Sequence, residues 1–116
     1  MSWVIWFSRH DMTDSQRAEI TERHGPVALV FHMKDAASSE INTEEELEDT
    51  LARVIECVQE LKAAAVYGVF PVPVQHKLYA DPDRKVPCYA AWNIRRTVEG
   101  GKPTFEHKQF MLVGVI

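Results

Sequence analysis

The chain of 116 residues contains only two cysteines, Cys57 and Cys88, and they do not form a CxxC pair. They read as reduced, structural side chains in a cytosolic setting. No apolar run approaches the ~18 residues a membrane-spanning helix needs. Met1-Ser2-Trp3 lacks the basic start of a signal peptide, so a cytoplasmic protein with no membrane partner is expected. Neither GxGxxG nor GxxxxGK[ST] occurs, which disfavours dinucleotide oxidoreductases and P-loop NTPases, and no nucleophile sits in a GxSxG elbow. Basic side chains are outnumbered 17 to 13, for a net charge of −4. That argues against sequence-independent binding of duplex nucleic acid, which needs a basic face. The histidines His10, His32, His76 and His107 have no HxxxH or HExxH spacing, so neither a metal nor another cofactor is expected.

What is present is ordinary globular material, 46% hydrophobic and 26% charged, of a size that suits one domain. The charges are unevenly placed. Acids crowd between Glu40 and Glu60, while Arg9, Lys34, Lys77, Arg84-Lys85 and Arg95-Arg96 carry much of the positive charge. An acidic protein with a local basic mouth suits a small anionic ligand better than a long polyanion.

The apolar run Trp3–Phe7 reads as a buried central strand. Thr13 and Gln16 form a capping box, and the spacing predicts a helix over 14–23 that Gly25-Pro26 ends. With only Ala18 and Ile20 as apolar residues, that helix is expected at the periphery. A second strand is predicted over 27–31, followed by a loop over 35–42. Thr43 and Glu46 suggest a second capping box. Leu47, Leu51, Val54, Ile55, Val58 and Leu61 then mark a strongly amphipathic helix whose acidic first turn suits the helix dipole. Residues 64–70 read as a third strand. Pro71 and Pro73 impose an extended bend, with a short turn of helix at most. Strands over 86–94 and 104–115, joined by the turn Glu99-Gly100-Gly101-Lys102, complete the order as an antiparallel hairpin. The fold expected is α/β: a small Rossmann-like three-layer domain whose five-stranded sheet is mainly parallel, with a C-terminal antiparallel hairpin.

In such a sheet the first four strands point their carboxyl ends the same way, where ligands of open α/β folds sit. The residues brought to that rim are Ser8-Arg9-His10, His32 and Lys34, Gln75-His76, and Asn93 with Arg95-Arg96, and the fifth strand begins at the same edge with Thr104-Phe105-Glu106-His107. Arg9 would supply a bidentate fork to a phosphate, Ser8 a hydroxyl and His10 a proton donor or acceptor. The face carrying Asn93 and Arg95 reads equally well as a solvated edge. Arg23-His24-Gly25 matches the letters of the histidine-phosphatase signature, but it follows a helix, where its glycine is a stop. The exposed hairpin also suits a protein partner.

The opening, an apolar strand followed by Phe7-Ser8-Arg9-His10 and then Met12-Thr13-Asp14-Ser15-Gln16, resembles the start of small CRISPR-associated Rossmann-like proteins related to CARF sensors. The resemblance spans about residues 3 to 20 and implies binding, with metal-independent cleavage, of cyclic oligoadenylate second messengers in antiviral defence or phage counter-defence. It also implies a homodimer closing around the ring, Arg9 neutralising a phosphate, and His10 moving the proton as a ribose 2′-hydroxyl attacks. The alternative is a non-catalytic regulatory or phage accessory protein acting through a protein partner, or a module that sequesters the ligand.

Overall fold

Three short apolar segments build the centre of the sheet. In the computed structural model, which describes residues 2–26, 28–37, 40–78, 86–96, 100–101 and 104–116, they are β1 (Trp3–Phe7), β2 (Leu29–His32) and β3 (Ala65–Gly68). For positions 95, 96, 104 and 105 only the backbone is described. β4 (Pro87–Arg96) and β5 (Thr104–Val115) form the long hairpin. The sheet order is β2-β1-β3-β4-β5, parallel through β4 and antiparallel between β4 and β5. The α/β architecture expected from the sequence is therefore the one observed.

Helices cover both faces. α3 (Glu44–Leu61) buries Leu47, Leu51, Val54 and Val58 against Ile5, Phe7 and Val66, as its periodicity requires. Truncating one such residue to Ala typically costs about 2–5 kcal/mol. Thr43 caps this helix by accepting the Glu46 amide. The expected box closes differently, because the Glu46 carboxylate accepts from the Asn42 amide and the Thr43 hydroxyl rather than from the Thr43 backbone. On the same face lie α2 (Lys34–Ala37), which replaces the first part of the expected loop, and α4 (Val72–Leu78). α4 is longer than the two prolines suggested. Pro73 falls in the first turn, where a missing N–H breaks no helical bond, and Val74 and Leu78 are both buried one turn apart.

The opposite face has a smaller core of Val4, Trp6, Ile20, Ala65, Tyr67 and Phe110, covered by α1 (Asp14–His24). α1 is fixed at its start by the expected capping box: the Gln16 amide donates to Thr13 Oγ1 and the Thr13 amide to Gln16 Oε1. Its sheet-facing stripe is mostly polar (Gln16, Glu19, Ile20, Arg23), so packing alone does not hold it.

The β4–β5 hairpin outruns the rest of the sheet. β3 pairs with β4 only from Cys88 to Ala90, so the stretch from Ala91 onward extends past the carboxyl end of β3. The antiparallel register shifts between Trp92 and Asn93, leaving Lys108 as an extra residue on β5. Among the described residues no helix is long and apolar enough to cross a membrane.

Lys62, the residue that ends α3, adopts a left-handed conformation at φ 51° and ψ 49°. The strain there, ~1–2 kcal/mol for a residue with a Cβ, exceeds the ~0.5–1 kcal/mol of extra chain entropy glycine loses. Lys62→Gly should raise stability by up to about 1 kcal/mol, read as a higher urea midpoint with an unchanged slope. A lowered midpoint would count against this account of the helix end.

Candidate functional site at the carboxyl ends of β1 and β3

β1 connects outward to β2, and the chain then returns across the sheet to β3, so the strand order reverses between β1 and β3. Crevices at such a reversal are where open α/β sheets bind ligands. Here backbone geometry fixes how the two strand ends meet. The Val69 amide donates to the Phe7 carbonyl at 3.0 Å. A Cβ on Gly68 would lie 1.8 Å from that same carbonyl oxygen. Only glycine lets the two strands approach this closely.

The chain leaves β1 in a tight turn fixed from two sides. The Trp6 indole N–H donates to the His10 carbonyl at 2.8 Å, and the His10 amide donates to Ser8 Oγ at 3.1 Å. Ser8 is thereby buried, while Arg9 and His10 stand exposed. The Arg9 Nε–H reaches His10 Nε2 at 3.4 Å, so the guanidinium and imidazole lie side by side above the turn.

Two cavities flank this turn. One, of about 330 Å³ on the α3 face, is lined by Phe7, Ser8, Arg9, His10, Val69 and Pro71, with Ala36, Ala37, Glu40 and Ile41 behind. The other, of about 440 Å³ on the α1 face, is lined by Trp6, Ser8, His10, Val69, Ala91, Asn93 and His107, with Asp11, Thr13 and Gln16. Both volumes fall in the range of small-molecule sites.

Of the residues singled out in the sequence, Ser8, Arg9 and His10 are at the centre of this arrangement, and Asn93 is on the wall of the α1-side cavity. Lys34 lies beside it, where its ammonium donates to Asp11 at 3.0 Å and lines a neighbouring depression with Phe31, His32 and Arg53. That hydrogen bond, with the Lys34 charge, holds the Asp11 carboxyl below its ordinary value. Gln75 turns away: its amide donates to the Phe70 carbonyl at 2.7 Å and braces the β3–α4 turn. His76 is exposed on α4 and lines neither cavity. The side chains of Arg95 and Arg96 lie outside the described residues, as does half of the expected turn after β4. Among the described residues no cluster of three or more His, Cys, Asp or Glu is arranged to hold a metal ion.

The sequence brings His107 to this rim at the start of the fifth strand but assigns it no part in the proposed chemistry, and it assigns Glu19 none. His107 faces Asn93 across the hairpin. Its side chain is 4% exposed, and Nε2 donates to Glu19 Oε1 at 3.0 Å. Glu19 in turn accepts the Phe110 amide with both oxygens, at 2.9 and 3.1 Å. His107 Nδ1 is buried with no partner. Strand alternation alone puts positions 107 and 110 on opposite faces. The extra residue Lys108 brings them to one face, with ring centroids 4.7 Å apart. On α1 the signal was the spacing Gln16, Glu19, Arg23, a polar stripe on the buried side.

That stripe continues at Tyr67. Its hydroxyl accepts from Arg23 at 3.1 Å and donates to His24 Nε2 at 2.6 Å. Burial pushes the Tyr67 phenol up, so it keeps its proton, and burial with the neighbouring Arg23 charge pushes His24 down, so it stays a neutral acceptor.

No family model, curated protein or solved structure matches this chain.

Two measurements check this geometry. Gly68→Ala forces a methyl group onto a backbone carbonyl that no side-chain rotation can relieve, so a loss of roughly 3 kcal/mol or more is expected. A thermal melt like that of the unaltered protein would refute the close approach. For His24, the folded state holds its proton less tightly than the unfolded chain, whose ordinary value is 6.5. The unfolded chain therefore binds more protons in the window below about 6.5, and stability rises with pH across it. The contribution is complete above that window and is lost as pH falls through the folded value. Urea midpoints from pH 7.5 down to 5 should fall less for His24→Gln than for the unaltered protein; parallel curves would remove His24 from the account.

Proposed function

We propose that this protein binds and cleaves cyclic oligoadenylates, acting on a phosphodiester held over the Ser8-Arg9-His10 turn without help from a metal. The observation that carries the reading is the position of that turn. A buried hydroxyl, a guanidinium and an imidazole stand together at the reversal point of the sheet, with a cavity on each side. The fold supplies the class of ligand site, and the resemblance of residues 3–20 to small CRISPR-associated proteins narrows the ligand to a cyclic oligoadenylate.

In this reading Arg9 neutralises a phosphate oxygen through a charge-assisted fork. The ribose 2′-oxygen forms the new bond to phosphorus, and its proton passes to His10. The P–O5′ bond breaks, the 5′-oxygen takes that proton back from His10, and the product carries a 2′,3′-cyclic phosphate. Positioning and electrostatics supply most of the acceleration. A second copy of the chain completes the ring-binding surface. β5 is an edge strand, with Met111 47% and Leu112 59% exposed, and such an edge suits two-fold self-association.

The test is incubation with cyclic tetra-adenylate in EDTA, followed by chromatography and mass analysis. Linear fragments ending in 2′,3′-cyclic phosphate are expected, and His10→Ala should slow their formation by about 10²–10⁴-fold. Arg9→Ala should weaken binding as well as turnover. An intact ring, or an unchanged rate for His10→Ala, overturns the catalytic reading. An intact ring with no binding by calorimetry overturns the ligand assignment too and leaves a protein partner.

A further inference from the structure

The two cavities are not independent sites. Ser8, His10 and Val69 line both, so they form a saddle between them. Val69 at its crest is 55% exposed, an apolar side chain left open at the reversal point of the sheet. We infer that the site straddles one internucleotide phosphodiester, its phosphate on the Ser8–His10 saddle beside Arg9, with one nucleoside in each cavity. This rests on the reading that the ligand is a phosphate-bearing oligonucleotide and adds how much of it one protomer grips.

The chemistry of the two walls supports it. A free phosphate or a mononucleotide needs the saddle and one cavity at most, whereas two cavities of about 330 and 440 Å³ open on opposite sides of the same turn. The α3-side cavity has Arg9 at its mouth, an apolar lining of Ala36, Ala37, Ile41 and Pro71, and a carboxylate from Glu40. The α1-side cavity combines the small part of Trp6 left open and the methyl of Ala91 with polar edges from Asn93 and His107. An apolar floor with a few fixed polar groups is how planar ligands are held.

His107 gives this second cavity an independent mark. Its Nε2 is committed to Glu19, itself pinned by the Phe110 amide, which leaves Nδ1 as the ring's remaining polar atom. That atom is, among the described residues, the buried side-chain nitrogen or oxygen that has no partner. Buried polar atoms are rarely left so, and a small turn of this ring, which lines the cavity, would bring Nδ1 to a polar group of the ligand. An exocyclic amine or a ribose hydroxyl supplies one.

Calorimetry with the 3′,5′-linked dinucleotide ApA and with AMP tests the inference directly. ApA should bind the unaltered protein roughly tenfold tighter or more, as a second occupied cavity requires. Ala37→Leu, which fills the α3-side cavity, and Ala91→Leu, which fills the other, should each bring ApA close to the AMP affinity. Circular dichroism melts confirm that each variant is folded, and if one is not, the other and the ApA-to-AMP ratio decide. ApA binding no tighter than AMP, or folded leucine variants that bind ApA normally, overturns the straddling arrangement. If the cyclic ring is cleaved at the usual rate by both leucine variants, the straddle fails while the proposed activity stands. If ApA behaves as expected but the ring is neither bound nor cut, the straddle stands and the cyclic ligand is wrong.

Discussion

The Phe7 carbonyl oxygen accepts the Val69 amide at 3.0 Å and leaves no room for a side chain at position 68. This contact fixes how closely β1 and β3 end together, and the rest of the site is built outward from it. Val69 is thereby placed as the crest between two cavities, and the turn that follows Phe7 must rise over the strand end. Trp6 and Ser8 then hold that turn by its backbone, one from the indole and one from a hydroxyl. The side chains at positions 9 and 10 are consequently presented on a rigid base, the condition under which a charged group is preorganised and not merely nearby.

The two faces of the sheet solve the same problem with different forces. On the α3 face, side chains from α2, α3 and α4 bury apolar area against Ile5, Phe7 and Val66, so burial is the main force that fixes the cover. On the α1 face the apolar contribution is slight, and the helix is tied down by Glu19 to β5 and by Arg23 and His24 to Tyr67. Polar ties of this kind add little net stability each, but they are directional and costly to leave half made. α1 begins directly behind the Ser8-Arg9-His10 turn. Its tether therefore sets one wall of the α1-side cavity, and protonation of His24 acts on the helix that carries Thr13 and Gln16.

The architecture was legible because it rests on periodicity. Trp3–Phe7 could only be a buried strand, Leu47 through Val58 only a helix face, and 104–115 was bounded as observed. The position of the candidate site was legible for the same reason, since the residues that follow β1 in this order arrive at the reversal point. What periodicity could not carry was side-chain direction in irregular backbone. Gln75 reads as a rim donor by position, yet the Phe70 carbonyl left open after β3 is a nearer acceptor and takes it. α4 was underestimated because two prolines weigh heavily as breakers unless one of them falls in the first turn. α1 lies at the periphery as its few apolar residues imply, but hydrophobicity counts do not show the charge and hydrogen bonds that hold it there.

His107 shows the same limit most clearly, and it is the residue on which the α1-side cavity turns. An even count along β5 places it with Gln109 and Met111, away from Phe110. One extra residue, Lys108, reverses that parity, sends the Lys108 ammonium to 4.2 Å from the Trp92 ring, and turns the imidazole inward beside Phe110. Bulges recur beside functional sites because one inserted residue re-aims the side chains that follow without disturbing those before it. Here the pairs from Pro87 to Trp92 keep the sheet closed, while Asn93 and His107 come opposite each other over the cavity. A regular hairpin would be a simpler edge, but it would put a lysine where the buried histidine stands. The shift in register is thus what converts the overhanging end of the hairpin from a solvated arm into a wall of the site.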